Sequence, residues 1–396
     1  MLISIASLVA LVGVLAWATD RLRLPAFTAL MAGVLLFGLV NRMTVNSVGK
    51  AFGLGFVQAL ETPGLLFVAA MLAARLLRPA AGGPAQALLA GSVAGLGGTA
   101  NGGYALAAPL LTGGVRTALL LALALLLVQA LVPPAPLAVA AGYVLAVSTA
   151  PWLAVAVPLA VLLLAGAWFW CHRAALADGT GFAGRALLVL AVPAALLIAQ
   201  AVAQIPSEPL GRGGAREFWT GISRPLMLAV LVVGLAFVVA RDRGTAALAD
   251  TGWALPLLAI GAAGGLARVL DEAGFADLAA EALLDARLGV LAPFVAAATV
   301  KALQGHSLSA VLTASGMTEP MLGALGLDSA TGRALAAAAA GLGSVAVVHV
   351  NDPLFWMVAH GAGMGTKRTL ATLTLGLAAL ATTGAALLWI AAALLL

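Results

Sequence analysis

Long apolar stretches alternate with short polar segments along almost the whole chain. A helix needs about 20 apolar residues to cross a hydrocarbon core of about 30 Å, and many of these stretches reach that length. One of them, 137–170, reads either as one broken span or as two short spans around Pro151. The pattern predicts an all-α, multi-pass membrane protein with about 10–12 transmembrane segments. The predicted spans lie near 2–18, 24–40, 61–78, 116–132, 137–170, 186–205, 222–240, 252–270, 333–348 and 369–395.

Two further apolar stretches, 86–111 and 289–321, are interrupted by glycines and polar residues. Three spans lead to each of them, and an odd number of crossings separates the two sets. The second set would therefore be inverted relative to the first, an arrangement typical of secondary transporters with broken helices. We expect two re-entrant helical hairpins within two inverted repeats, 1–170 and 186–396, joined by a connecting loop at 171–185.

Composition supports the membrane assignment. Of the 396 residues, 63% are apolar and 9% are charged, whereas soluble domains carry about 25% charged residues. The net charge is +5, but Lys and Arg occur singly or in pairs at span ends, as expected for residues that orient spans in a lipid bilayer. Nucleic acid is therefore not an expected partner. The single cysteine, Cys171, allows neither an intrachain disulfide nor a cysteine metal site.

The N-terminal stretch resembles a signal peptide but lacks a basic first region and runs directly into a second apolar segment. We expect residues 1–20 to be a retained first span. The predicted location is the inner membrane.

The first interruption contains five glycines between Gly95 and Gly103. Each glycine inside a helix costs about 1 kcal/mol relative to alanine, so this segment predicts a break. An open backbone inside a membrane must be satisfied by protein, water or ligand. The backbone and side chains of Gly98, Thr99, Asn101 and Gly102 are therefore candidates for binding an anion. The alternative is a glycine-rich loop at the membrane interface. No metal or organic cofactor is predicted.

The second interruption places a lysine in an apolar context, followed by polar residues. An ionised Lys301 at membrane depth costs a few kcal/mol unless it is paired or hydrated. With Gln304, Gly305, His306 and Ser307 beside it, the lysine predicts a carboxylate-binding site. The alternative is a lysine near a helix end whose ammonium reaches the interface.

A third polar cluster, His349-Val350-Asn351-Asp352, follows an alanine-rich apolar run. His349 and Asp352 are candidates for carrying a coupling proton, because histidine titrates near neutrality and burial raises the pKa of an aspartate toward it. Asn351 is a candidate substrate contact. Asn351-Asp352-Pro353 also favours a turn whose aspartate caps the next helix, and both roles are compatible. A metal site would require His306 and His349 to converge.

Sequence signatures of enzymes are missing. The chain contains neither a Gly-rich phosphate loop followed by Lys-Ser/Thr nor a His-Glu-x-x-His motif. A Gly-x-Ser-x-Gly nucleophile elbow is also missing. The sequence therefore predicts a carrier, and a membrane-embedded enzyme acting on lipid is the disfavoured alternative.

Several segments, among them Thr366 to Leu375, resemble the gluconate permease (GntP) family of the ion transporter superfamily. His349 to Trp356 matches that family's His-Val-Asn-Asp-Ser-Gly-Phe-Trp at six of eight positions. Lys301 to Ala310, Gly261 to Leu270 and Leu131 to Pro136 resemble further family segments. The resemblance implies an elevator-type carrier, commonly a homodimer, that takes up a small hydroxy-carboxylate such as a sugar acid with protons.

The chain departs from the family pattern at several positions. Lys301 stands where the family usually has arginine, which exchanges a bidentate fork for a point charge. His306 and Leu308 replace small or hydroxylated residues, Ala135 replaces a histidine, and Pro353-Leu354 replaces Ser-Gly. The leading hypothesis is proton-coupled symport of a small organic anion. Sodium coupling, and a non-transporting receptor or assembly protein derived from a carrier, remain open alternatives.

Overall fold

A computed structural model describes residues 2–77, 82–111, 114–173, 184–205, 209–240, 254–274 and 288–396. The regular elements of this part of the chain are helices. Their bounds are α1 Leu2–Asp20, α2 Ala26–Val40, α3 Val45–Ala59, α4 Leu65–Leu77, α5 Pro84–Gly95, α6 Ala100–Leu111, α7 Val115–Leu131, α8 Pro136–Val144, α9 Thr149–Arg173, α10 Gly184–Ala203, α11 Gly214–Ile222, α12 Pro225–Val239, α13 Ala254–Glu272, α14 Leu291–Gln304, α15 Ser307–Thr318, α16 Ala330–Ala346, α17 Pro353–Gly361, α18 Thr366–Thr369 and α19 Leu375–Leu395.

Two wide π turns join helices that follow one another without a loop. Leu60–Gly64 connects α3 to α4, and Leu370–Thr374 connects α18 to α19. Pro63 lies inside the first π turn, where a wider turn accommodates a residue that cannot donate a backbone hydrogen bond. This corrects the prediction of a separate span beginning near 61, because one continuous helical segment runs from Val45 to Leu77.

Six helical segments of the described residues are long and apolar enough to cross a membrane, and a seventh counts if α11 and α12 form one span with a 56° bend. This agrees with a multi-pass membrane protein. Fewer segments pass the length test than hydropathy predicted, because several apolar helices are short. Among them, α2 has 15 residues and α14 has 14.

Both glycine-interrupted stretches form a helix, a tight turn and a second helix. Helix pair 1 is α5 and α6, with tip 1 at residues 96–99; helix pair 2 is α14 and α15, with tip 2 at residues 305–306. Gly98 and Gly305 turn the chain with φ angles of +70° and +83°, which glycine adopts without strain. That each pair enters and leaves the membrane from one side stays a prediction.

The centre of the molecule is formed by two helices that are buried on all sides, α7 and α16. Helix α7 packs against pair 1 and α9, whereas α16 packs against pair 2 and α19. The two central helices also contact each other, and Gly341 of α16 lies directly against the Ala130 carbonyl of α7. Small residues at such a crossing allow close backbone approach, as in other membrane helix pairs.

The order of elements after each helix pair is the same. A central helix is followed by a break, a short helix (α8 or α17) and a long helix. Each short helix packs against the helix pair of the other half, α8 on α15 and α17 on α6. Because each short helix packs on the helix pair of the other half, the two tips lie together. The repeat boundaries stay a prediction, and residues 174–183 of the expected connecting loop lie outside the described residues.

The first and last helical regions are joined by an aspartate. Asp20 accepts hydrogen bonds from the backbone N–H groups of Thr366 and Lys367, both at 2.7 Å. The hydroxyls of Thr19 and Thr366 lie 2.6 Å apart. A carboxylate stabilises the positive end of a helix, so Asp20 fixes the start of the C-terminal helical segment against α1.

Glycines let α3 and α13 pack backbone to backbone. A Cβ atom at Gly264 would meet the Cβ of Ala59 and the carbonyl of Gly55. Phe52 and Phe56 lie over two further glycines of α13, Gly265 and Gly261.

Gly264→Val should disrupt this interface, because overpacking costs about 1–3 kcal/mol. Gly234→Val in α12 is the matched control, since a Cβ at Gly234 meets nothing within 4 Å. Thermal unfolding of the detergent-purified variants should show a lower midpoint for Gly264→Val alone. Equal midpoints for the two variants would contradict the close packing of α3 and α13.

Candidate functional site

A cavity of about 250 Å³ lies where the two tips meet. Residues 98–101 and 305–308 form two of its walls. The end of α3 and the first π turn contribute Gln58, Thr62 and Pro63, and α7 contributes Gln129. The tertiary structure therefore brings the two predicted interruptions into one site.

Four helices begin at this cavity. Ala100, Pro136, Ser307 and Pro353 all line it, and they are the first residues of α6, α8, α15 and α17. The N–H groups in the first turn of a helix have no acceptor within that helix, and the helix dipole makes this end positive. Helix N-termini are therefore ready-made sites for carboxylate or phosphate groups. The start of α17 is already capped by the Asp352 carboxylate, so the starts of α6, α8 and α15 are the ones that make the cavity suited to an anion.

Tip 1 is held by uncharged groups. The hydroxyl of Thr99 accepts a hydrogen bond from the Gly102 N–H at 3.1 Å and so caps the start of α6. The Gln129 side-chain amide donates to the Gly98 carbonyl at 2.9 Å. Gln129 belongs to the central helix α7, so this bond fixes tip 1 to the core. Gln129 was not among the site residues predicted from the sequence.

Tip 2 is held by a buried ion pair. The Lys301 ammonium donates to the Gly305 carbonyl at 2.6 Å and to Asp352 Oδ2 at 2.5 Å, and the lysine is completely buried. A side chain on Gly305 would collide with Asn351. Lys301 therefore lies between its own tip and the break that follows α16, and it does not reach an interface as the alternative interpretation required.

The break at 347–352 supplies donors to the end of α14. His349 Nε2 lies 2.7 Å from the Ala302 carbonyl, and the Asn351 amide donates to the same oxygen at 3.1 Å. The carbonyl can only accept, so His349 Nε2 carries a proton. Asp352 Oδ1 accepts from the Leu354 N–H at 2.8 Å, which confirms the predicted aspartate cap on the next helix.

Two polar atoms of this break lack a partner. Within the part of the chain that the structure describes, His349 Nδ1 and Asn351 Oδ1 are buried and make no hydrogen bond. Buried polar groups are nearly always paired, so these two acceptors mark positions that a hydrogen-bond donor from water or a ligand can satisfy.

The predicted site residues divide into two groups. The first group lines the cavity and comprises Gly98, Thr99, Asn101, Gly305, His306, Ser307 and Asp352. The second group is absent from its lining and comprises Gly102, Lys301, Gln304, His349 and Asn351. Two members of the second group bond to lining residues instead: the Gly102 N–H donates to the Thr99 hydroxyl at 3.1 Å, and the Lys301 ammonium donates to the Gly305 carbonyl at 2.6 Å. Gln58, Thr62 and Gln129 line the cavity without having been predicted, and their common signal is a polar side chain near a helix break.

Comparison with known families identifies the family to which this chain belongs. A model described as GntP family permease matches residues 179–395 of the 396-residue chain. The chain belongs to the GntP permease family. The matched part contains helix pair 2, the Lys301–Asp352 pair and the following helices, whereas tip 1 and Gln129 lie before it.

Individual relatives match shorter segments. The chain is 33% identical over 153 residues to a gluconate permease of Bacillus licheniformis, covering 38% of this chain and 33% of that protein. It is 38% identical over 130 residues to the low-affinity gluconate transporter of Escherichia coli K12, covering 33% and 29%. An uncharacterised permease of Bacillus subtilis is 33% identical over 164 residues, covering 40% and 36%. The chain thus spans about a third of the length of these curated relatives.

The ion pair should tolerate the loss of both charges better than the loss of one. Lys301→Met or Asp352→Asn alone leaves an unpaired buried charge, which costs about 3–5 kcal/mol, whereas the double variant leaves none. Asparagine keeps the helix cap in both variants that carry it. Thermal unfolding in detergent should therefore give a higher midpoint for the double variant than for either single one.

The control is Asp271→Asn, which removes the partly exposed ion pair with Arg268. An exposed pair contributes about 0–1 kcal/mol, so the midpoint should hardly change. A double variant that is less stable than both single variants would contradict a charge-neutral structural pair at Lys301 and Asp352.

Proposed function

We propose that the chain is a secondary carrier of the inner membrane that moves a small organic anion, of the gluconate type, by alternating access. The observation that carries the proposal is the convergence of four helix N-termini on one cavity between two broken helix pairs. The names of the relatives support an anion of this class, since two of them are a gluconate permease and a gluconate transporter.

The cavity has groups for both ends of a hydroxy-carboxylate. The carboxylate would lie at the N–H groups that begin α6 and α15, next to Gly98 and Gly305. Neutral side chains of Thr62, Thr99 and Asn101 line the same space and can donate to or accept from substrate hydroxyls. Such a lining suits a ligand with one charge and several hydroxyl groups.

In this proposal Lys301 acts through the protein and does not contact the anion. Its charge is already compensated by Asp352, and its remaining bond holds the Gly305 carbonyl. Lys301 is then a positioning residue for tip 2. The shape of the tip, and with it the direction of the N–H groups of α15, depends on this pair.

Protons are the proposed coupling ion, with His349 or Asp352 as carrier. Protonation of His349 Nδ1 would create a donor at an atom that now lacks a partner. Protonation of Asp352 would weaken its bond to Lys301 and so release tip 2. His306 is a further titratable group at tip 2; it is exposed and lines the cavity, and Asp271 and Arg268 also act on it electrostatically. Sodium is the alternative ion, since carbonyl and hydroxyl oxygens at broken helices also bind it.

The architecture of the proposed carrier follows from the repeated order of elements. We propose that residues 1–170 and 186–396 are inverted repeats, each containing one re-entrant helix pair. The site then lies between the repeats, as in other inverted-repeat transporters. An elevator movement and a homodimer complete the proposal, and both rest on the family resemblance.

Uptake by purified protein in liposomes tests this function. Radiolabelled gluconate should accumulate when the outside is acidified, and a sodium gradient at constant pH should produce no accumulation. The reverse result would establish sodium as the coupling ion. Binding of gluconate without uptake under any gradient would favour a non-transporting receptor and contradict the carrier.

The proton carrier can be tested separately with His349→Gln. Glutamine can still donate to the Ala302 carbonyl but cannot take up a proton. We expect loss of accumulation driven by a pH gradient, while exchange of internal for external gluconate persists, because exchange needs no net proton movement. His360→Gln, in the last turn of α17, is the control variant and should retain both activities. Full accumulation in His349→Gln would exclude His349 and leave Asp352 as the proposed carrier.

A further inference from the structure

We infer that Gln129 recognises a hydroxyl group of the substrate and makes the carrier discriminate hydroxy acids from simple carboxylates. The inference rests on the proposed function and adds a specificity-determining residue to it. Gln129 lies in the last turn of the central helix α7, before the break that leads to α8. Its side chain is 1% exposed and lines the cavity.

The hydrogen bond to tip 1 fixes which way the amide of Gln129 faces. The Gly98 carbonyl can only accept, so the NH2 group of Gln129 must point to it. The oxygen, Oε1, is therefore left as an acceptor. Among the described residues it has no hydrogen-bond partner, although it is buried.

An unpaired buried acceptor is unfavourable until a donor reaches it. A hydroxyl group is such a donor. A carboxylate oxygen is only an acceptor and would be repelled, and a methylene group would leave Oε1 unpaired. The chemistry of Gln129 thus selects a ligand that carries a hydroxyl at this point of the cavity.

The position of Gln129 also relates the hydroxyl to the carboxylate. Its partner Gly98 is followed by Thr99 and by Ala100, the first residue of α6. The proposed carboxylate position at the start of α6 and the acceptor on Gln129 therefore adjoin the same tip. A substrate that bridges them needs both groups on one short carbon chain, as in a polyhydroxy acid.

A helix-packing role for Gln129 makes a different prediction from a recognition role. Loss of a bond that only anchors tip 1 would weaken binding of every anion by the same factor. Loss of a hydroxyl acceptor would weaken binding of hydroxy acids alone. The ratio of the two affinities separates these roles, because a purely structural effect does not change it.

The experiment measures competition of gluconate and hexanoate against labelled gluconate uptake in liposomes. The two acids have equal carbon chains, and hexanoate has no hydroxyl. We expect wild-type protein to prefer gluconate, and Gln129→Met to lose about tenfold or more of that preference, measured as the ratio of the two affinities; loss of the bond to tip 1 changes both affinities by the same factor and leaves this ratio unaffected. Gln200→Met in α10, a span glutamine absent from the cavity lining, is the control and should keep the wild-type ratio.

A second measurement uses wild-type protein alone, in case Gln129→Met does not fold. Hexonates that each lack one hydroxyl should show one position at which the deletion removes most of the preference over hexanoate. Equal small losses at every position would overturn the inference, as would a Gln129→Met variant that weakens both acids equally. Wild-type protein that transports gluconate and hexanoate equally well would overturn it while leaving the carrier function intact. Failure of wild-type protein to transport any carboxylate would instead refute the proposed function and this inference together.

Discussion

A backbone that is broken inside a membrane must have its polar groups satisfied, and this constraint shapes the whole site. The carbonyl groups at the breaks are bonded by protein side chains. Gln129 donates to Gly98, Lys301 donates to Gly305, and His349 with Asn351 donates to Ala302. The opposite ends of the breaks, where four helices begin, face the cavity. Because these three backbone carbonyls are paired within the protein and helix N-termini are turned to the cavity, the site is biased toward an anion.

The two tips meet this constraint by different means. Tip 1 has a neutral amide as its anchor, whereas tip 2 has a buried ion pair that also caps α17. The ion pair couples tip 2 to the break after α16, so the proton uptake proposed at that break would change the support of the tip. The amide leaves one acceptor unused. We therefore assign the proposed proton coupling to the C-terminal half, and the proposed hydroxyl recognition to the N-terminal half.

The family model matches the half of the chain that contains tip 2 and does not reach tip 1. The matched residues, 179–395, include tip 2 and the ion pair, while tip 1 precedes them. The family resemblance places arginine where this chain has Lys301. A compact ammonium can approach both the Gly305 carbonyl and Asp352 within one buried space, as it does here. Lysine in place of arginine at position 301 is therefore consistent with a side chain that supports tip 2 from within the protein.

The sequence by itself determined the membrane-spanning class, the two glycine breaks and the aspartate cap, because hydropathy, glycine cost and local capping depend on neighbours along the chain. The prediction of a separate span beginning near 61 was wrong, because a π turn accommodates Pro63 inside one continuous helical segment. Only the tertiary structure paired Lys301 with Asp352 across 51 residues and placed Gln129 against Gly98 across 31. Those contacts depend on how each helix pair packs against the central helix of its own half, α5 on α7 and α14 on α16, and hydropathy carries no information about such packing. The tertiary structure therefore decided which residues line the cavity and which support its walls.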